Sequence, residues 1–234
     1  MPLPSTAVAY NVTICDNNIR NFNNGNINNN RVIANNGMFR CLFFNAKSLS
    51  NKKQLGEFEL ILRSYKFDII TVCETWLNKS SPDSLLDASG DYAVFRRDRV
   101  GRGGCTAFFI RKCENPIAHR VSVSDKFNCI KFIIIDFRSF NSKDFCSRVV
   151  LIYILLCAHN SSMFSSFMFE FTIFCASVSY RCCIMADFNL PGVDWVNGLF
   201  PNSHETCTYI FENGLHQVVD APTRKGKHIR FHCS

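Results

Sequence analysis

Short apolar runs separated by polar residues follow one another from residue 39 to residue 187, and each has the length of a buried β-strand. One stretch differs, because Leu55, Phe58, Leu62 and Tyr65 recur at steps of three and four, which predicts a helix with an apolar stripe. A strand, a helix and then further strands are typical of an α/β fold. The predicted strands cover residues 41–44, 68–73, 92–95, 105–110, 130–135, 149–154 and 183–186.

Three glycines, Gly101, Gly103 and Gly104, lie between the third and the fourth predicted strands. Glycine adopts the backbone angles of tight turns without steric cost. We therefore expect these two strands to form a hairpin.

Residues 155–183 do not follow the strand pattern. The apolar run from Met163 to Val178 is shorter than the ~20 residues that a membrane-spanning helix needs. A longer span would have to bury His159 and Glu170 in the bilayer, which is costly. The pattern therefore favours a buried helix over a transmembrane helix.

The first 37 residues contain many asparagines and few large apolar side chains. Such a segment buries too little apolar surface to offset the entropy cost of ordering it. We expect residues 1–37 to be a disordered Asn-rich tail and residues 38–234 to form one domain. Because the start of the chain lacks the apolar core of a secretory signal, we expect an intracellular protein.

Composition narrows the class of protein. Hydrophobic residues make up 47% of the 234 residues, which excludes wholesale disorder. The formal net charge of +7 permits a polyanionic partner such as a nucleic acid but does not require one. The 13 cysteines are scattered and include no C-x-x-C pair, which argues against a disulfide scaffold and against a zinc finger. We interpret them as small buried side chains in a reducing compartment.

Polar residues stand at the ends of several predicted strands. Asn45 follows the first strand, Glu74 the second and Asp187 the last, while Tyr153 lies near the end of 149–154. The C-terminal edge of an α/β sheet is where ligands usually bind. Each residue alone also has a structural explanation, namely a strand-end cap, a solvated carboxylate, a turn or a buried tyrosine.

Five stretches carry a more specific pattern: Asn45–Leu49, Asp68–Leu77, Arg96–Gly104, Ile184–Pro191 and Pro222–Arg224. Together, over about residues 39–225, they resemble the endonuclease/exonuclease/phosphatase superfamily, and most nearly the endonuclease domain of non-LTR (LINE-type) retrotransposons. The resemblance implies an α/β two-sheet sandwich flanked by helices. It also implies hydrolysis of a phosphodiester bond in DNA with Mg²⁺ or Mn²⁺.

The resemblance implies a role for each candidate residue. Glu74 would bind the metal ion, a hard cation that prefers carboxylate and water oxygens, and Asn45 would lie beside it and hold the metal-phosphate geometry. Asp187 would position or deprotonate the attacking water. Asn189 would donate a hydrogen bond to a phosphate oxygen, and Tyr153 would reach the phosphate or the leaving group.

Arginines flank the expected hairpin next to these residues. Arg97, Arg99 and Arg102 are therefore predicted to contact the phosphate backbone of DNA. DNA is the expected partner, and neither a stable protein partner nor a membrane is expected. A protein that acts on DNA would be expected in the nucleus.

The sequence also departs from the family. Ile154 and two leucines follow Tyr153 where relatives usually have Arg-Pro-Pro, and Ala186 stands where a glycine is usual. The Ser-Asp-His motif, which supplies the superfamily's late histidine, does not occur in the sequence. We therefore expect a domain that is incomplete at its C-terminus, with impaired catalysis. The alternatives are a non-catalytic remnant that binds nucleic acid and a membrane-associated protein that uses residues 149–178.

Overall fold

Two β-sheets make up most of the part of the chain that the computed structural model describes. Each sheet combines antiparallel strands with one parallel pair, as far as the described residues go. The described residues are 8–13, 38–98, 104–112, 117–121, 130–138, 143–145, 147–155, 165–167, 169–171, 181–189, 215–216 and 231–233.

Sheet A comes from the first half of the chain. Its elements are β1 (Val8–Thr13), β2 (Met38–Asn45), helix α1 (Lys52–Tyr65), β3 (Ile69–Cys73), β4 (Tyr92–Arg97) and β5 (Thr106–Arg111). The strands lie in the order β1-β2-β3-β5-β4. β2 and β3, which α1 connects, form the parallel pair of this sheet.

Sheet B comes from the second half. Its strands are β6 (Ile117–Arg120), β7 (Ile130–Arg138), β8 (Ser147–Ile154), β9 (Arg181–Asp187), β10 (Leu215–His216) and β11 (Phe231–Cys233). They lie in the order β10-β11-β9-β8-β7-β6, so sheet B continues past β9. β8 and β9 form its parallel pair.

Helix α1 forms where the apolar stripe predicted it. The Asn51 side chain accepts a hydrogen bond from the backbone N–H of Lys53 at 2.9 Å, which caps the first turn. Lys66 ends the helix in a left-handed conformation. The buried face packs on the outer side of sheet A, where the ring of Phe58 lies against Phe44 and Phe109.

A second apolar core lies between the two sheets. Because side chains alternate along a strand, every second residue of the central strands points into this core. Phe43 and Phe108 of sheet A are buried there with Ile133 and Leu151 of sheet B. The polar ends of the strands therefore lie at the edge of a buried apolar interior.

All seven predicted strands are present, and the expected hairpin is found because β4 and β5 pair in antiparallel fashion. Gly104 has a φ of 70°, as the turn requires, while Gly101 and Gly103 lie outside the described residues. Of the described cysteines, Cys41, Cys73, Cys105 and Cys182 are buried free thiols, as expected, and Cys183 is a half-buried one.

The expectation of disorder throughout residues 1–37 is wrong for Val8–Thr13, which pairs with β2 as strand β1. The segment alternates Val8, Tyr10 and Val12 with smaller or polar residues, a strand-forming pattern that the surrounding asparagines obscured. The rest of the predicted tail lies outside the described residues.

Within the stretch 155–183, for which a buried helix was favoured, residues 165–167 and 169–171 are helical and residues 181–183 belong to β9, while the other residues after 155 lie outside the described ranges. The ring of Phe167 packs against Phe132 of β7 with 5.4 Å between centroids, whereas Phe169 is exposed. This segment therefore covers sheet B with one face only. Among the described residues, no helix has the length and apolar character needed to cross a bilayer.

The packing of α1 on sheet A makes a stability prediction. Phe58→Ala should lower the free energy of unfolding by about 3–5 kcal/mol, because it removes a ring that is buried between α1 and the sheet. Leu60→Ala is the matched control on the exposed side of the same helix and should change it by no more than about 0.5 kcal/mol. Urea unfolding followed by circular dichroism measures both, and equal effects would contradict the packing of α1.

Candidate active site

The predicted site residues lie at the C-terminal ends of the two parallel pairs. In sheet A, Asn45 is the last residue of β2 and is paired with Cys73, which Glu74 follows. In sheet B, Tyr153 of β8 is paired with Asp187, the last residue of β9. Parallel strands bring their carboxyl ends to the same edge of a sheet, so each pair places two polar side chains together.

A hydrogen bond between side chains joins the two edges. The Asn45 Nδ2 donates to Asp187 Oδ2 at 3.0 Å, across 142 positions of the sequence. The backbone N–H of Lys47 donates to the Asn45 Oδ1 at 3.0 Å, which fixes the orientation of the amide. Asn45 therefore holds the Asp187 carboxylate in a defined position.

A second contact crosses between the sheets. The Tyr153 hydroxyl donates to Glu74 Oε1 at 3.2 Å, although the tyrosine is only 6% exposed. Burial raises the pKa of the Tyr153 hydroxyl far above its usual value, and the negative charges of Glu74 and Asp187 raise that pKa further. Tyr153 therefore stays protonated at neutral pH and acts as a hydrogen-bond donor.

The backbone at this edge is unusual. Lys47, Ser48, Glu74, Trp76 and Asn189 all have positive φ angles, between 47° and 99°. Residues other than glycine adopt this region at a cost, and such residues cluster at functional sites. Of the non-glycine residues with positive φ in the described chain, Lys66 at the end of α1 is the one that lies elsewhere.

Backbone hydrogen bonds connect the loop that follows β2 with the loop that follows β3. Ser48 donates its N–H to the Glu74 carbonyl at 2.8 Å, and Leu49 donates to the Thr75 carbonyl at 2.7 Å. Thr75 in turn donates to the Cys105 carbonyl at 3.1 Å. These contacts hold the strained conformation of Glu74 in place.

Arg96 anchors the loop that follows Glu74. Its guanidinium donates to the backbone carbonyls of Asn78 and Ser81, at 2.8 and 2.6 Å, and forms ion pairs with Asp83 and Asp98. The guanidinium is therefore committed to protein contacts, and Arg96 fixes the loop from Glu74 to the short 3₁₀ helix Asp83–Leu85.

Asn189 is placed beside the end of β8. Its Nδ2 donates to the backbone carbonyl of Ile154 at 2.8 Å. An amide nitrogen carries two N–H groups, so this contact orients the side chain while the second N–H points elsewhere.

The structure does not place Arg97 on the DNA-facing surface that was predicted. Arg97 is only 7% exposed, its guanidinium lies 4.8 Å from the centre of the Phe132 ring, and it donates to the Phe132 carbonyl at 3.3 Å. The prediction failed because the side chain of Arg97 points inward from β4. A run of basic residues in the sequence does not show which of them faces the interior of the sheet. Arg99 and Arg102 lie outside the described residues.

Sequence reasoning missed Lys131, which the register of β7 places beside Tyr153. Directly paired residues of antiparallel strands have their side chains on the same face of the sheet. Lys131 therefore belongs to the face that carries Tyr153 and Asp187. The only signal in the sequence is a single lysine inside the apolar run 130–135. The face of the sheet on which this lysine lies is determined by the pairing of β7 with β8.

The oxygen donors of this site fit a divalent cation. Glu74 and Asp187 are carboxylates, and the charges of both act on the Tyr153 hydroxyl between the sheets. Mg²⁺ is usually held by one or two carboxylates, with waters and substrate phosphates completing its shell. No group of three or more His, Cys, Asp or Glu suited to a metal occurs within the described ranges. The fit therefore rests on the Glu74 carboxylate and the Asn45 amide, with the Asp187 carboxylate hydrogen-bonded to that amide.

A scan against protein-family models gave no match, and neither did a search of the curated proteins. Solved structures do match. An endonuclease/exonuclease/phosphatase from Bacteroides vulgatus has a TM-score of 0.51 at 12% identity, over 83% of this chain and 85% of that one. The 3′ phosphatase NExo from Neisseria, bound to a product DNA hairpin, has a TM-score of 0.51 at 13% identity, over 76% and 72%.

The 3′-5′ exonuclease NExo from Neisseria meningitidis gives the same TM-score of 0.51 at 13% identity, over 75% of this chain and 71% of that one. At such low identity the likeness concerns the backbone. The chain therefore has the fold of the endonuclease/exonuclease/phosphatase proteins, a two-sheet α/β sandwich.

The contacts of Tyr153 predict how its hydroxyl titrates. In Glu74→Gln the pKa of Tyr153 should fall, because one negative charge is removed, yet stay above its ordinary value because burial is the larger cause. Alkaline titration by ¹³C NMR of Cζ-labelled tyrosine measures this, and Tyr153→Phe identifies the signal. Glu59→Gln on α1 is the control. A wild-type Tyr153 that titrates together with exposed tyrosines would contradict the site geometry.

Proposed function

We propose that this chain hydrolyses phosphodiester bonds in DNA with the help of Mg²⁺ or Mn²⁺. The observation that carries the proposal is the pair of contacts between the sheets, Asn45 with Asp187 and Tyr153 with Glu74. They gather two carboxylates, an amide and a phenol at one edge of the sandwich. Phosphodiester hydrolysis needs a base for water, donors to the phosphate and compensation of its charge.

Glu74 and Asn45 would hold the cation, which when bound would offset the negative charge on the phosphate and on the leaving oxygen. The Tyr153 hydroxyl donates to Glu74 and so orients that carboxylate. The loop contacts hold the left-handed backbone of Glu74, whose carboxylate accepts the hydrogen bond of the Tyr153 hydroxyl.

Asp187 would take the proton from the attacking water. Asn45 donates a hydrogen bond to this carboxylate and thereby orients it. Asn189, anchored on the Ile154 carbonyl, would use its second N–H to hold a phosphate oxygen. Tyr153 would remain a neutral donor through the reaction, because its raised pKa disfavours the phenolate.

DNA is the substrate that we propose, on two grounds. One structurally similar protein, the Neisseria NExo, was solved with a product DNA hairpin. In this chain, the formal charge of +7 and the position of Lys131 beside Tyr153 favour a polyanion at the site.

The finer assignment, a retrotransposon endonuclease, rests on the sequence motifs alone. A second candidate is a domain that binds nucleic acid without cutting it, which the formal net charge of +7 favours equally.

Nicking of a supercoiled plasmid tests the proposal. The wild-type chain should nick it with Mg²⁺ and not with EDTA. Asp187→Asn should lower the rate by about 10²–10⁴-fold, because it removes the base. Tyr153→Phe should lower it by about 10–100-fold, because it frees the Glu74 carboxylate.

Glu59→Gln, which removes a carboxylate from α1 instead, is the matched control and should nick at the wild-type rate. Nicking that survives Asp187→Asn would contradict the proposed site. A folded wild-type chain that binds DNA in Mg²⁺ without nicking it would support the second candidate.

The position of Lys131 predicts a change in salt dependence. If Lys131 contacts one phosphate, Lys131→Gln should weaken DNA binding and reduce the slope of log K against log [salt] by about 1. Lys52→Gln, at the exposed start of α1, is the control. Fluorescence anisotropy of a labelled duplex between low and moderate salt gives both slopes, and identical slopes would exclude Lys131 from the contact.

A further inference from the structure

Trp76 is the exposed aromatic side chain nearest in sequence to the site. Its exposed fraction is 46%, although Thr75 and Leu77 on either side are buried. The other large apolar side chains that are exposed within the described ranges, Leu60, Leu85 and Phe169, are not adjacent to a site residue.

Exposure of one aromatic residue is common and alone calls for no function. Trp76 differs because its φ is 55°, in the left-handed region that a bulky residue rarely adopts. Glu74, two residues earlier, has a φ of 53°. The same strained turn therefore presents both the site carboxylate and the indole.

Cys105 holds the chain on both sides of Trp76. Its carbonyl accepts the Thr75 N–H at 3.1 Å, and its thiol donates to the Leu77 carbonyl at 3.2 Å. Leu49 adds a hydrogen bond to the Thr75 carbonyl at 2.7 Å. The backbone of Trp76 is thus fixed, and a fixed aromatic ring loses little conformational freedom when it binds a ligand.

The spacing along the chain sets the reach of the indole. Two successive trans peptides place the Cα of Trp76 at most about 7.6 Å from that of Glu74. A phosphate bound through a cation at Glu74 would therefore lie close enough for the Trp76 ring to reach the neighbouring nucleotide. A flat apolar ring that is half in water beside a phosphate site suits the face of a nucleobase.

We propose that Trp76 stacks on a nucleobase next to the scissile phosphate and thereby selects substrates with an unpaired or exposed base at that position. This inference rests on the proposed function, because it takes as the ligand the strand whose phosphate would be bound through the cation at Glu74. Stacking on an aromatic ring tolerates every base, so the preference concerns the presence of a base rather than its identity.

A double-mutant cycle between protein and DNA tests the inference. Wild type, Trp76→Phe and Trp76→Ala are compared on a single-stranded oligonucleotide and on a set in which one nucleotide at a time, around the mapped cleavage position, lacks its base. Trp76→Ala should lower kcat/KM by about 5- to 100-fold on the intact strand, and Trp76→Phe should retain most of the activity. On the substrate that lacks the stacked base, wild type and Trp76→Ala should be equal.

Phe169→Ala is the matched control, since it removes an exposed aromatic ring from the helical segment on sheet B. An effect of Trp76→Ala that is the same on every substrate of the set would overturn the proposal, because the ring would then act on the loop itself. A wild-type level of activity in Trp76→Ala would overturn it as well, while leaving hydrolysis intact.

Binding measured with Mg²⁺ in an Asp187→Asn background, which removes the proposed base and leaves Glu74 to hold the cation, separates this inference from the proposed function. Fluorescence anisotropy of the same labelled oligonucleotides should show that Trp76→Ala weakens binding of the intact strand. It should show no such weakening for the oligonucleotide that lacks the stacked base. If wild type does not cleave but binding follows this pattern, hydrolysis fails and the stacking contact stands. If wild type neither cleaves nor binds the oligonucleotides, both proposals are overturned.

Discussion

The hydrogen bond from Asn45 Nδ2 to Asp187 Oδ2 joins the last residues of two strands that belong to different sheets. Each strand is one member of its sheet's parallel pair, so the contact brings together the two edges where polar side chains accumulate. The hydrogen bond between Tyr153 and Glu74 repeats this arrangement at the ends of β8 and β3, which are the neighbours of β9 and β2 in their sheets. The candidate site is therefore a product of packing: unless the sheets meet face to face, none of its carboxylates has its partner.

Packing also sets the electrostatics of the site. The core between the sheets is apolar up to the row of strand ends, so the Tyr153 hydroxyl is buried next to the charges of Glu74 and Asp187. Such a setting disfavours a further negative charge and favours a cation, which is the condition for binding a metal and then a phosphate. The left-handed residues at the rim show where the chain bends to present these groups, and Trp76 lies on the same bend.

The strands and α1 could be predicted because apolar periodicity reflects burial, which dominates the core. Asn45, Glu74, Tyr153 and Asp187 could be selected because strand ends meet at one edge, and the structure joins them in two hydrogen-bonded pairs. Other features depend on pairing, which a sequence pattern does not contain. Arg97 looks like surface charge in the sequence but occupies an inward position, and only the register of β7 with β8 places Lys131 on the same face as Tyr153. Their sides are decided by neighbours distant in sequence.

Paramagnetic broadening by Mn²⁺ tests most directly the claim that the two sheet edges form one cation-dependent site. At equimolar Mn²⁺, NMR signals from both edges should broaden together: Asn45 and Glu74 of sheet A with Tyr153 and Asp187 of sheet B. Glu74→Gln should remove the broadening at all four positions, and Glu59→Gln should leave it unchanged. Broadening confined to one sheet, or centred on other carboxylates such as Asp83 and Asp98, would contradict the account.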